Sequence, residues 1–288
     1  MLDGSIEESA LRAAAQTLDG DIVGLQEVDR GQPRSQLVDQ TAIVADELGA
    51  PYWRFVPTLR GTPGGDAQWT ASTDDETETN QPTYGVALVS RLPVQSWHVR
   101  RFGPAPVGMP LMVPGRRGLT HVHDEPRVGV AAVLDGPSGP LTVVAAHLSF
   151  MPGWNVAQLR ALSRWARGFP GPRLLIGDFN LPGALPRMTT RWAQLARAAT
   201  YPSWRPRVQF DHVLADGIGE SAVRDVEVMR LGVSDHCALA VDLDVGPGNH
   251  RAWPTGSTPM WRRSHAVAHP KRPLARLLDQ LAGPAAAQ

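Results

Sequence analysis

Apolar positions along this chain switch between a helical period and continuous or alternating runs, and the switches mark its elements. Residues 7–18 place Leu11, Ala14, Ala15 and Leu18 on one stripe behind Ile6, with Ser5 as cap and Glu8 three residues on. Asp19-Gly20-Asp21 stops that helix. Ile22-Val23-Gly24-Leu25-Gln26 follows as a buried strand with Glu27 at its end. A helix is predicted over 40–48, ending at Gly49, and strands over 52–57, 84–90 and 97–102. Residues 127–134 and 141–147 form a hairpin across Asp135-Gly136-Pro137-Ser138-Gly139-Pro140. A helix over 155–167, capped by Asn155, carries Leu159, Leu162 and Trp165 on one face. Residues 173–177 read as a buried strand, 192–199 as a helix, and 208–214, 222–229 and 237–243 as three further strands. Helices interleaved with strands and several hairpins predict a mixed α/β sandwich rather than a purely parallel sheet.

Three stretches break the pattern. Residues 60–83 are rich in Gly, Thr and acid, with Asp74-Asp75-Glu76-Thr77-Glu78 at the centre, and read as a long surface loop. Residues 103–118 are a Pro/Gly-rich connection. After Gly246 the composition turns to Pro, Gly, Arg and His, which predicts a basic, disordered tail over 246–288 with one short helix from Leu274 to Leu281. No internal repeat is visible.

Composition narrows the function. The chain has 288 residues, 42% of them hydrophobic, enough for one sizeable core. Its formal net charge is zero, which excludes a strongly basic nucleic-acid coat but leaves room for a local basic cleft. Lys271 is the one lysine; arginine supplies the other cations. With Cys237 as the only cysteine no intrachain disulfide forms. The first residues lack a basic head and an apolar run, and no apolar stretch is long enough to span a bilayer. These features together predict a cytoplasmic protein.

Candidate chemistry sits at strand ends. Glu27, His147, the pair Asp178 and Asn180, Asp211, and the pair Asp235 and His236 each border an apolar run. Converging strands bring such ends to one rim, where carboxylates suit a hard cation and imidazoles suit phosphate oxygens. Any one of these residues alone is more simply a cap, a turn former or a satisfied core histidine. His121-Val122-His123-Asp124 lacks a second histidine pair for zinc and reads as loop chemistry near Glu125. No Gly-x-x-x-x-Gly-Lys, Gly-x-Gly-x-x-Gly, Gly-x-Ser-x-Gly or His-Glu-x-x-His motif is present, which removes the usual support for nucleotide-dependent transfer, dinucleotide binding and serine hydrolysis.

Leu25-Gln26-Glu27-Val28, the strand Tyr84-Gly85-Val86-Ala87-Leu88-Val89-Ser90-Arg91-Leu92-Pro93, Ala146-His147-Leu148, Gly177-Asp178-Phe179-Asn180, Phe210-Asp211-His212-Val213 and Ser234-Asp235-His236 occur in this order. Together they resemble the endonuclease/exonuclease/phosphatase superfamily, with its pancreatic deoxyribonuclease-like fold, from about Asp21 to Leu243. The resemblance implies a four-layer sandwich of two mixed β-sheets flanked by helices (α/β, of α+β type) over residues 1–245. It implies an Mg²⁺-dependent hydrolase of phosphate esters, with Mn²⁺ as a substitute, most simply a phosphodiesterase acting on nucleic acid or a small phosphodiester. Glu27 would bind the metal, and Asp235 would hold it or a coordinated water. Asp178 would orient or deprotonate the attacking water, and Asn180 would hold that water or a phosphate oxygen. His236 would donate to the phosphoryl oxygen and pair with Asp211; His147 would pair with Glu125. Members of the family usually open with a strand carrying an asparagine that supports the metal site. This chain has no asparagine before Asn80 and no strand before its first helix, which predicts a start upstream of Met1. Two alternatives stand beside a phosphodiesterase: an impaired or non-catalytic member that binds a phosphorylated ligand or partner, and a phosphomonoesterase.

Overall fold

The computed structural model describes residues 7–63, 69–73, 81–112 and 118–245. In chain order its elements are α1 (Glu8–Leu18), β1 (Ile22–Arg30), α2 (Gln40–Glu47), β2 (Tyr52–Gly61), β3 (Trp69–Ala71), β4 (Thr83–Ser90), β5 (Val94–Phe102), β6 (Met109–Met112), β7 (Leu119–Val122), β8 (Arg127–Gly136), β9 (Gly139–His147), α3 (Trp154–Ala166), β10 (Arg173–Asp178), α4 (Leu185–Thr190), β11 (Ala193–Gln194), β12 (Asp211–Asp216), β13 (Val223–Met229) and β14 (Ala238–Leu243).

Two sheets carry the core. One has the order β1-β4-β2-β3 with antiparallel pairings; the other has the order β11-β12-β10-β9-β8-β5 and is mixed, because β9 and β10 run parallel. Val56, Val86 and Leu88 on the first sheet face Val128, Val130, Ala132, Leu134, Val143 and Ala145 on the second, all buried. Alternate residues on the far faces pack on helices, as a two-residue period requires. On one side Val23 and Val89 meet Ala15 of α1, Val44 and Ala45 of α2, and Leu48, which caps α2. On the other, Ala131, Val144, Ala146 and Leu175 meet Leu159, Leu162 and Ala166 of α3. The result is the expected four-layer sandwich. Strands β8 and β9 are buried on both faces, which is why their sequences are continuous apolar runs rather than alternating ones. The hairpin β13-β14 pairs only with itself, and Val241 and Leu243 of β14 lie partly buried against the inter-sheet core.

Several local expectations change. Helix α1 has Glu7 as its cap with no side-chain bond, and Ser5 lies outside the described residues. Helix α3 starts one residue early, with Gly153 (φ 82°) as cap; Asn155 sits in the first turn and uses its amide elsewhere. The helix expected over 192–199 is not formed. Pro186 opens α4 instead, and Arg191 in the left-handed region (φ 64°) closes it, so the chain leaves extended at Ala193. Ala193 and Gln194 then add to the edge of β12, with Trp192 buried beneath. Within 60–83 the segment β3 pairs with β2, and within 103–118 β6 pairs with β7. The acidic run at 74–78 and the expected tail at 246–288 lie outside the described residues. Among the described residues no helix is long and apolar enough to cross a membrane.

Candidate active site

Strand direction gathers the polar ends. β9 and β10 run parallel, so His147 and Asp178 finish at the same rim. β12 runs antiparallel to β10, so its first residue, Asp211, lies opposite Asp178 in register. Gly177 allows the approach: its φ is 130°, and a Cβ there would meet the Ala146 carbonyl oxygen at 2.1 Å. β1 reaches the rim through a bulge between Leu25 and Val28, in which Glu27 takes φ 57°. A bulge with a residue in the left-handed region turns a side chain out of the regular alternation, and Glu27 is exposed.

Asp178 is buried between two imidazoles. Its Oδ1 accepts a hydrogen bond from the Asn180 backbone at 2.7 Å, and its Oδ2 stands 3.8 Å from Nε2 of both His147 and His236. His236 Nδ1 is 2.8 Å from Asp211 Oδ2, which fixes the ring with Nε2 toward Asp178. Asn180, itself at φ 50°, donates from Nδ2 to the Leu148 carbonyl at 3.0 Å and lies 3.3 Å from His147 Nε2. Its own carbonyl accepts from Asn155 Nδ2 at 2.9 Å, so the first turn of α3 braces this corner.

The two histidines are pushed in opposite directions. Burial draws the His236 pKa down, but the hydrogen bond and charge of Asp211, with Asp178 and Asp235, outweigh it and hold the value up at about 9. Burial, Arg127 and His236 hold His147 well below the ordinary histidine range, so its ring is neutral at pH 7. Burial and the charge of Asp211 push Asp178 up to about 7 against the pull of His236.

Glu125 does not reach His147. Arg127 takes that place: its Nη1 lies 3.3 Å from each ring nitrogen, and its Nη2 donates to Asp124 Oδ1 at 3.4 Å. Asp124 is buried and also accepts from the Ala105 backbone and the Ser149 hydroxyl, both at 2.7 Å. The short run Asp124-Glu125-Pro126-Arg127 therefore matters, but through Asp124 and Arg127 rather than through Glu125. Only the cross-strand register that sets Val128 against His147 reveals this. Glu125 instead joins Glu27 and Tyr84. Burial, Glu27 and Arg127 act on its carboxyl, with a net upward shift, and burial followed by the charges of Glu27 and Glu125 pushes Tyr84 well up. Asp235 lies beside His236, and its carbonyl accepts from the Ser203 backbone at 2.6 Å. Tyr201, whose ring centroid is 4.8 Å from that of His236, and the exposed Trp204 form an aromatic margin that the sequence motifs leave out.

Glu27, Glu125, Asp211, Asp235 and His236 all line one cleft of about 1650 Å³. Among the described residues no three His, Cys, Asp or Glu side chains gather at metal-ligand spacing. Mg²⁺ does not need such a triad, because it takes one or two carboxylates and completes its shell with water and phosphate oxygens. The exposed Glu27 carboxylate, with Glu125 lining the same cleft, is a donor of that kind.

Comparisons with known proteins agree with this architecture. The family model described as Endonuclease/Exonuclease/phosphatase family matches residues 4–236. No curated protein matches the chain in sequence. Among solved structures, the endonuclease/exonuclease/phosphatase from Bacteroides vulgatus is 15% identical at a TM-score of 0.56, covering 82% of this chain and 90% of that one. A family protein from Leptotrichia buccalis is 12% identical at 0.52, covering 82% and 93%. A beta toxin mutant from Staphylococcus aureus, with bound magnesium ions, is 12% identical at 0.50, covering 82% and 92%. At these identities the likeness is one of fold.

Proposed function

Because the chain belongs to the endonuclease/exonuclease/phosphatase family, whose chemistry is metal-dependent hydrolysis of phosphate esters, we propose that it is an Mg²⁺-dependent phosphodiesterase with its catalytic centre at Asp178 and His236. The supporting observation is the Asp211–His236–Asp178 arrangement: a carboxylate-paired imidazolium aimed at a buried carboxylate that titrates near neutrality. The gaps of 3.8 Å from Asp178 to both rings suit one bridging water, which donates to the carboxylate.

Water placed there attacks phosphorus as the ester P–O bond breaks. Asp178, ionised in a large fraction at pH 7–8, takes the water's proton, and the departing oxygen is protonated from solvent. His236, kept cationic by Asp211, donates from Nε2 to a phosphoryl oxygen and stabilises charge as it builds. His147, neutral and braced by Arg127 and Asn180, orients the nucleophile's side of the site. Glu27 and Asp235 would hold Mg²⁺, which when bound supplies positive charge to the phosphate oxygens.

Hydrolysis of bis-p-nitrophenyl phosphate, with p-nitrophenyl phosphate alongside and Mg²⁺ or Mn²⁺ added, tests the proposal. Diester cleavage that falls about 10²–10⁴-fold in Asp178→Asn and in His236→Gln is expected. Faster cleavage of the monoester would move the protein to the phosphomonoesterases. Cleavage unchanged in both variants would overturn the mechanism.

A further inference from the structure

One loop beside the strand ends takes no part in the chemistry proposed for them. Residues 201–207 are clamped where they leave and rejoin the fold. Arg207 and Val208 donate from their backbones to the Tyr201 carbonyl at 2.9 and 3.0 Å, and Thr200 and Tyr201 donate to the Val208 carbonyl at 2.9 and 3.0 Å. Ser203 ties the loop to the turn that carries His236: its backbone donates to the Asp235 carbonyl at 2.6 Å and its hydroxyl to the Ser234 carbonyl at 3.0 Å. The Cys237 backbone donates in return to the Thr200 carbonyl at 2.7 Å. Trp204, next to Ser203, is 59% exposed. None of these bonds uses its side chain, and its ring meets Tyr201 only at a centroid distance of 6.5 Å, edge to face. An indole so placed adds little to the fold. It offers a ligand a large ring at small entropic cost, because the loop that carries it is already ordered.

Position and charge narrow the ligand. Trp204, Arg230, Asp235 and His236 line the same cleft. Two ring-to-ring steps lead out from the reacting centre, 4.8 Å from His236 to Tyr201 and 6.5 Å on to Trp204. Arg205 and Arg207 follow the indole, both exposed and, among the described residues, neither in an ion pair. The acid beside the loop is Asp235, which would hold Mg²⁺. Three kinds of phosphate-linked group stack on an indole. A quaternary ammonium does so through its charge, which two flanking guanidiniums repel. A sugar does so through its C–H face, but its hydroxyls need acceptors as well as donors, and arginines only donate. A nucleobase stacks through its π face and brings a further phosphate, which suits a guanidinium. We propose that Trp204 determines specificity, stacking a nucleobase carried on the phosphate ester while Arg205 and Arg207 take the next phosphate. The inference rests on the phosphodiesterase reading, which puts the scissile phosphate at His236, and it names the substrate class as nucleotide diesters rather than choline or sugar phosphates.

Calorimetric titration of the Asp178→Asn protein in Mg²⁺ buffer reads binding without turnover. The probes are a 5′-phosphorylated thymidine dinucleotide, phosphocholine and glucose 6-phosphate. The dinucleotide should bind at least about tenfold more tightly than either of the others. Adding Trp204→Ala should weaken it about 5–100-fold, whereas Trp204→Phe, which keeps a π face, should weaken it by about threefold or less. With Asp178 intact, Trp204→Ala should raise KM for thymidine 5′-p-nitrophenyl phosphate by a larger factor than it lowers kcat, because stacking holds substrate and transition state alike. Dinucleotide affinity unchanged by Trp204→Ala would overturn the proposal. So would phosphocholine or glucose 6-phosphate bound as tightly as the dinucleotide. Binding that depends on Trp204 in a chain whose Asp178-intact form hydrolyses no diester would sink the catalytic reading and leave this inference standing.

Discussion

Asp178 sits where a carboxylate is least comfortable, buried beside a second carboxylate with one cationic ring for relief. Its rise from 3.8 to about 7 means that the fold disfavours its ionised form. That penalty is absent below about pH 4, grows between 4 and 7, and is complete above 7, where it amounts to about 4 kcal/mol at most. Asp178→Asn keeps an oxygen for the Asn180 backbone and removes the charge. In metal-free protein it should therefore raise the Tm at pH 8 and leave it unchanged at pH 4, while with Mg²⁺ added it lowers diester hydrolysis about 10²–10⁴-fold; equal melting of both proteins at pH 8 would contradict the buried-charge account. His236 carries the opposite sign of benefit. Its value of about 9 lies above the ordinary 6.5, so its ion pair stabilises fully below pH 6.5 and is lost as pH rises through 9. Activity needs Asp178 ionised and His236 protonated, which predicts a rate that climbs through about pH 7 and falls through about pH 9. In ring-proton NMR of metal-free protein, His236 should titrate near 9 while His147 stays neutral through pH 6.5; loss of the high value in Asp211→Asn would identify its source.

At the scale of elements, the site depends on how close β10 lies to β9. Gly177→Ala places a methyl group 2.1 Å from the Ala146 carbonyl oxygen and forces an L side chain to φ 130°. The backbone must shift, so a loss of about 2–4 kcal/mol and displacement of Asp178 are expected. Gly183→Ala, at φ 59° with nothing within 4 Å, should cost only about 1 kcal/mol and leave activity intact; similar melting of the two variants would refute the close-approach argument. Strand ends such as Asp178, His147 and His236 were legible in the sequence because apolar runs of strand length stop at them. Three features were not. The bulge that turns Glu27 outward depends on pairing with β4, which no local pattern encodes. The Arg127–His147 contact depends on the β8–β9 register. The segment after Trp192 carries apolar residues at spacings that suit a helix, but Arg191 and the open edge of β12 draw it extended. Asn155 departs from its expected place as cap for a related reason: asparagine before an apolar stripe is a good cap, but here its amide serves Asn180 across the fold.

For the whole molecule, the sandwich is unevenly sealed. Between the sheets Leu88, Leu134, Val130 and Val143 are wholly buried, whereas Val241 and Ile176, which line the cleft, retain exposed surface. Removing a fully enclosed leucine loses its transfer energy and leaves a cavity that rigid strands on both sides cannot close, about 2–5 kcal/mol. Val241→Ala removes less apolar surface from a position that solvent already reaches, and the β13-β14 hairpin can settle inward, so about 1 kcal/mol or less is expected. In thermal melts of the 288-residue chain, Leu88→Ala should therefore lower the Tm by about 5–15 °C and Val241→Ala by about 3 °C or less. Equal losses for the two variants would mean that Val241 is as enclosed as Leu88, and the uneven sealing of the sandwich would be wrong.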